Sequence, residues 1–214
     1  MSLKYRLFNI DKPYVKAHPW LKGFYGAYTQ TSFWDLSSDS APFDDTSYKP
    51  ELFFLSPNLL PPYKKVVRLF VQTGVQHESN GQAEPTSRST NYIYVKPMFI
   101  WYHEEKKIGL QVSTKCFGYV NNDDETNPDI ADYRGYFVWG VKLGKADGFV
   151  LDNTFRWAKK GGSVRLDFTY PLRGFWFNNL EMYLHIQYTN SLAERLIDYR
   201  ERSDVIRFGF AIVR

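Results

Sequence analysis

Two-residue alternation runs along most of the chain. Between positions 67 and 76 the odd residues read Val67, Leu69, Val71, Thr73, Val75, and the even ones Arg68, Phe70, Gln72, Gly74, Gln76. A period of two puts successive side chains on opposite faces of a strand, so the odd set shares an apolar face. The returning arm alternates likewise, with Asn91, Ile93, Val95, Pro97, Phe99 and Trp101 against Tyr92, Tyr94 and Lys96. These arms predict strands over 66–79 and 90–104. The same pattern predicts strands over 107–119, 133–143, 149–157, 164–172, 180–188 and 206–212. Before the hairpin it predicts a weak strand over 4–10, a long one over 21–34 and a short one over 49–56. The polar stretch 35–47, the Pro-rich 57–63 and the acidic 121–132 read as loops. No segment longer than about ten residues carries a helical period, so helices are minor and about eleven strands are expected.

The faces decide the class. On the polar side fall Arg134, Lys142, Asp152, Arg156, Arg165, Asp167 and Glu181. Burying those charges in a sandwich core is costly unless each is paired, whereas a barrel lumen can hold them in hydrated networks. The opposite faces are aliphatic and aromatic, and the chain has 16 Tyr, 17 Phe and 6 Trp among 214 residues. Such rings suit the two interfaces of a membrane. No run of apolar residues is long enough for a membrane-crossing helix. The expectation is all-β: an antiparallel transmembrane β-barrel forming one domain over 1–214. A soluble barrel of lipocalin type is the rival, and it requires the Trp and Phe face to point inward and the charges outward.

The net charge of +4 is scattered rather than clustered, which argues against nucleic acid as a partner. A single cysteine, Cys116, excludes an internal disulfide and a cysteine-based metal site, and it lies in phase with an apolar strand face. An exported barrel needs a leader and none stands at Met1, so the start is expected to be that of a trimmed or incomplete frame.

Chemistry gathers at the tip of the central hairpin. Continuing the odd count puts His77 and Ser79 on the apolar face, and a turn near Glu84 puts Asn91 across from His77. A serine needs an adjacent imidazole to take its proton, and the imidazole needs a third group to hold its tautomer. One strand carrying His and Ser at i and i+2, with a cross-strand Asn, meets both needs. The bland alternative is a polar strand end, where Ser, Asn, Gly and Pro are common. The other histidines read as structural: His18 in a turn, His103 at a strand end, and His185 on a polar face.

The stretch His77-Glu-Ser-Asn-Gly-x-x-x-Pro-x-Ser-Arg-Ser-x-Asn91 resembles the signature of the outer-membrane phospholipase A family. So do Tyr28-Thr-Gln-x-Ser-x-Trp34, Pro42-Phe43, Tyr48-x-Pro-x-Leu-Phe53, Asn127-Pro-Asp-Ile130 with Tyr133-x-Gly-Tyr136, and Leu196-Ile-Asp-Tyr199. The resemblance implies a twelve-stranded barrel in the bacterial outer membrane, here with its first strand missing or replaced by part of residues 1–20. It implies a calcium-dependent hydrolase of sn-1 and sn-2 acyl esters of phospholipids and lysophospholipids, active as a homodimer. By resemblance Ser79 is the nucleophile, His77 the base and Asn91 the orienting residue, with the Gly81 N–H facing the oxyanion. Calcium ligands would be the Gln82 carbonyl, the Ser87 hydroxyl and the Ser40 carbonyl of a second subunit. Gln82 stands where the family has a basic residue, and the loop of Ser40 is two residues shorter than the family pattern. Gln30 lies on an apolar face, where the family pairs that position across a dimer interface. Glu84 with Asp123-Asp124-Glu125 could bind a further calcium ion or be simply solvated. Arg88 could bind lipid phosphate or pair with Glu84. A barrel whose site has decayed, serving as a structural element or pore, is the alternative function.

Overall fold

Among the described residues, alternating sequence becomes one antiparallel sheet of eleven strands, laid side by side in chain order. The structure is a computed structural model, and it describes residues 1–35, 38–61, 67–122, 125–172 and 182–212. The strands are β1 (Ser2–Arg6), β2 (Phe24–Trp34), β3 (Phe43–Leu55), β4 (Val67–Ser79), β5 (Ser89–His103), β6 (Ile108–Tyr119), β7 (Phe137–Lys145), β8 (Val150–Ala158), β9 (Gly161–Pro171), β10 (Tyr183–Leu192) and β11 (Arg202–Ala211). Two five-residue helices, α1 (Pro13–Ala17) and α2 (Ile130–Arg134), and a 3-10 turn at Pro19–Gly23 are the helical content among the described residues. From β2 onward each strand has at least nine residues, enough to cross a hydrocarbon layer when tilted. Part of residues 1–20 does supply a strand, β1. Among the described residues β1 pairs only with β2 and β11 only with β10, so the sheet is open.

The faces sort as the alternation requires, with apolar side chains outward. Ile206, Phe208 and Phe210 project from β11, and Phe208 keeps 75% of its surface exposed. Trp139 on β7 stacks on Phe155 of β8 on the same outer face. The exposed thiol of Cys116 also lies there, opposite Val95 and Phe137. The inner face is polar and largely paired. Lys142 meets Asp152 at 3.3 Å and Arg165 meets Asp167 at 2.9 Å. Asp167 also accepts from His185 Nε2 at 2.8 Å, which gives that histidine a structural partner. Arg156 donates to the Ser191 hydroxyl and the Leu192 carbonyl, both at 2.8 Å. An inner face of this kind excludes the lipocalin arrangement, which needs an apolar interior.

Several boundaries differ from the expectation, the first being β1, which spans Ser2–Arg6 rather than 4–10. Phe43–Ser47 belongs to β3 rather than to a loop, and Asp45, Thr46 and Ser47 are buried there. Their polarity hides the strand from any hydrophobic count. Residues 133–136 are not strand: Ile130–Arg134 coils into α2, which ends at Gly135 with φ 67°. A Cβ on Gly135 would lie 2.4 Å from the Trp157 carbonyl oxygen, so only glycine fits. Arg134 therefore reaches the interior from a helix. Finally, β10 extends to Leu192 and β11 starts at Arg202, through polar residues that carry no alternation signal. Glu181, Asp123 and Asp124 lie outside the described residues.

Candidate active site

The β4–β5 register sets His77 directly opposite Asn91 and Ser79 opposite Ser89. His77 Nδ1 lies 2.8 Å from Asn91 Oδ1. The other end of that amide donates from Nδ2 to the Asn121 carbonyl at 3.1 Å. A carbonyl accepts only from the NH₂ end, so the amide oxygen must face the imidazole. Nδ1 is then the protonated nitrogen and Nε2 is left as the basic one. Ser79, two residues along, shares the face of His77 and sits opposite Tyr48 on β3. No hydrogen bond joins its hydroxyl to His77 among the described residues. The structure thus brings His77 and Asn91 into contact and sets Ser79 in phase beside them.

This group opens onto the outer, apolar side. A groove of about 820 Å³ runs from Leu3 and Tyr5 past Leu52, Val75 and Ile93, with His77 and Asn91 in its wall. Most of its lining is hydrocarbon, which suits an alkyl chain better than a sugar or a nucleotide.

Beyond Ser79 the chain turns around one buried amide. Asn80 keeps 2% of its surface exposed. Its Nδ2 donates to the Thr86 carbonyl at 2.8 Å, and its Oδ1 accepts from the N–H groups of Arg88 and Gln82 at 2.9 and 3.3 Å. These bonds close the turn that carries Gly81, Gln82 and Ser87. Gly81 adopts φ 67°, and a Cβ there would meet the Tyr48 ring at 2.7 Å. The left-handed backbone and the ring against it together make glycine the residue that fits here. The Ser87 hydroxyl and the Gln82 carbonyl hold no other hydrogen bond among the described residues. Hard oxygen donors of this type suit calcium, with modest affinity because none is a carboxylate. Ser40, at φ 65° in the β2–β3 connection, has no hydrogen bond to either within one chain. No cluster of three or more His, Cys, Asp or Glu suited to a metal occurs among the described residues. Arg88 folds its guanidinium onto the carbonyls of Pro85 and Ser87 at 2.9 and 2.8 Å, rather than onto Glu84.

The largest feature missed by sequence reasoning lies behind the site. Glu78, between His77 and Ser79, points inward and is 3% exposed. Arg134 grips it with two bonds of 2.7 and 3.0 Å, while the Ser47 hydroxyl donates at 2.7 Å and Lys49 stands 3.4 Å away. Arg134 also donates to Tyr92 Oη at 2.5 Å. Only the even phase of Glu78 was legible in advance. Above this knot Ile130, Ala193, Leu196 and Tyr199 form a buried cluster. Asp129 beside it accepts from the Tyr199 hydroxyl and pairs with Arg200 at 3.0 Å. Two stretches singled out for resemblance, 127–130 and 196–199, thus pack on each other. Gln30 sits on the outer face of β2, where its Oε1 accepts from Tyr28 Oη at 3.1 Å. The distant His18 bonds its own turn through the Tyr14 carbonyl at 3.0 Å.

The sequence model of the family described as phospholipase A1 matches residues 2–212. Phospholipase A1 of Escherichia coli K12 is 31% identical over 178 residues, covering 81% of this chain and 56% of its own length. The chain therefore spans a little over half of that relative. Outer membrane phospholipase A from Escherichia coli superposes with a TM-score of 0.77 at 29% identity, over 98% of this chain and 75% of the other. The Salmonella typhi outer membrane phospholipase, solved as a dimer with bound calcium, gives 0.77 at 27% identity over 98% and 76%. With the open antiparallel sheet, the outward apolar groove and a match running almost from end to end, the chain belongs to the phospholipase A1 family.

Proposed function

We propose that this protein is a calcium-dependent phospholipase of the bacterial outer membrane. It hydrolyses sn-1 or sn-2 acyl esters of phospholipids and lysophospholipids and acts as a homodimer. The observation that carries the reading is the His77–Asn91 contact of 2.8 Å on the outer face, beside an apolar groove and in phase with Ser79.

Substrate reaches the site laterally, its acyl chain lying along Val75 and Ile93. His77 Nε2 takes the Ser79 proton as Oγ attacks the ester carbonyl. The Gly81 N–H donates to the developing oxyanion. His77 then returns the proton to the departing glycerol oxygen, leaving an acyl-serine, and water repeats the sequence to release fatty acid. Asn91 holds the imidazole tautomer without adding a second charge beside lipid, at some loss of imidazolium stabilisation. Calcium, held by the Gln82 carbonyl, the Ser87 hydroxyl and the Ser40 carbonyl of a second copy, would supply positive charge next to the oxyanion. A ligand set split between copies gives a reason for a silent monomer and an active dimer. Gln30 would lie at the seam of such a pair; within one chain its Oε1 accepts from Tyr28 Oη and its Nε2 donates to Ser32 Oγ.

Labelling tests the nucleophile directly. A fluorophosphonate probe added to the detergent-solubilised protein with calcium is expected to modify Ser79, mapped by peptide mass, and to leave Ser87 and Ser89 untouched. His77→Ala should lose the label. Labelling spread evenly over hairpin serines would sink the assignment.

A further inference from the structure

We propose that Asn121 is a positioning residue, its main-chain carbonyl selecting which end of the Asn91 amide faces His77. The inference rests on the reading of Ser79, His77 and Asn91 as the catalytic group, and it adds a fourth, backbone member to it.

An asparagine amide has two ends of similar shape. With Oδ1 toward His77, Nδ1 carries the hydrogen and Nε2 is the base. With Nδ2 toward His77, Nδ1 must accept, the hydrogen moves to Nε2, and the nitrogen needed by Ser79 is blocked. Nothing within the His77–Asn91 pair itself chooses between the two states. The Asn121 carbonyl does, because at 3.1 Å from the amide nitrogen it can only accept. Turning the amide over would set two oxygens against each other.

The carbonyl is aimed by an uncommon backbone. Asn121 adopts φ 48°, in the left-handed region that asparagine and glycine enter most easily. One residue earlier, the Val120 N–H donates to the Asn91 carbonyl at 3.0 Å, so this connection is tied to Asn91 through both main chain and side chain. The far side of the same connection is fixed as well. Asn127 is fully buried and donates from Nδ2 to the Ser89 carbonyl at 3.0 Å. Arg134, at its end, grips Glu78 between the base and the nucleophile. The connection from β6 to β7 is thereby stitched to both strands that carry the catalytic group.

The test compares wild type with Asn121→Val, whose branched side chain resists a left-handed backbone, and Asn121→Gly, which accepts it. Two readouts are taken in calcium-containing detergent micelles: kcat and KM for fatty-acid release, and the tautomer of His77 from ¹⁵N shifts of histidine-labelled protein, assigned with a His77→Gln sample. The expected wild-type tautomer is Nδ1–H. Asn121→Val should lower kcat by roughly tenfold or more with KM within about twofold, and should show Nε2–H or a mixture. Asn121→Gly should recover most of kcat and the Nδ1–H signal. The proposal is overturned if Asn121→Val keeps wild-type kcat and tautomer, or if Asn121→Gly falls as far as valine does. Because the tautomer is read without turnover, an inert wild type with an Nδ1–H signal lost in the valine variant would contradict the proposed activity and leave the positioning role standing.

Discussion

His77, Asn91 and Ser79 derive their joint placement from the parity of two strands and the length of one turn. That is why they were legible: one slipped residue would send all three to the other face, and the aliphatic run at 67–75 forbids the slip. Asn121 was not legible, because it contributes a carbonyl that every residue possesses. Gly81 was readable only through resemblance, yet its φ of 67° and the Tyr48 ring against it give the residue a physical reason. At this scale Asn91→Ala is predicted to lower kcat by about 10²-fold while KM stays near wild type, since in the proposed mechanism the amide orients the base rather than the lipid. A rise in KM with kcat unchanged would assign Asn91 to substrate binding instead.

The elements tell a different story. The strands were visible wherever apolar residues alternate and invisible where polar ones pack inward, as at Asp45–Ser47 in β3. The end of helix α2, Tyr133 and Arg134, was read as strand because Tyr133, Gly135 and Phe137 mimic a period of two, and its start at 130–132 was read as loop, whereas the segment is held by Arg134 on Glu78 and by Ile130 in the loop cluster. That pair is almost wholly buried, and removing one partner leaves an unpaired charge. Glu78→Leu is predicted to destabilise the protein by about 3–5 kcal/mol, with the double change Glu78→Leu, Arg134→Leu recovering most of it, read from urea unfolding in vesicles. Equal stability of the single and double variants would show that the pair is not coupled. Asp129, on the loop, has its carboxyl held below the ordinary range, first by the Tyr199 hydroxyl, with burial opposing it, and then by Arg200. A lowered value stabilises the docked loop at neutral pH, and that contribution is lost as the pH falls through the docked-state value. Amide exchange at residues 196–199 should therefore stay slow down to the ordinary carboxylate range and rise below it. In Asp129→Asn it should be fast already at pH 7, and wild-type exchange in that variant would remove the contact from the account.

Across the whole molecule, sidedness was the most legible property. Trp and Phe outward with Lys, Arg, Asp and Glu inward is what a sheet facing lipid on one side and water on the other requires. Adjacent positions on β7 test it. Val141→Arg, on the outer face, is predicted to cost about 2–4 kcal/mol of folding stability in lipid vesicles if it sits near mid-membrane, while Lys142→Arg, facing Asp152, is predicted to be neutral. The opposite ranking would invert the sheet. Pairing of two such molecules was legible through resemblance alone, at Gln30 and Ser40, because within one chain the Gln30 amide is met by its own Tyr28 and Ser32. The central claim joins nucleophile, ion and substrate, and one measurement reaches all three. It is fatty-acid release from mixed phospholipid–detergent micelles, with calcium and with chelator, for wild type beside Ser79→Ala. The account predicts release that requires both calcium and Ser79. Undiminished release after chelation, or from a folded Ser79→Ala protein, would contradict it.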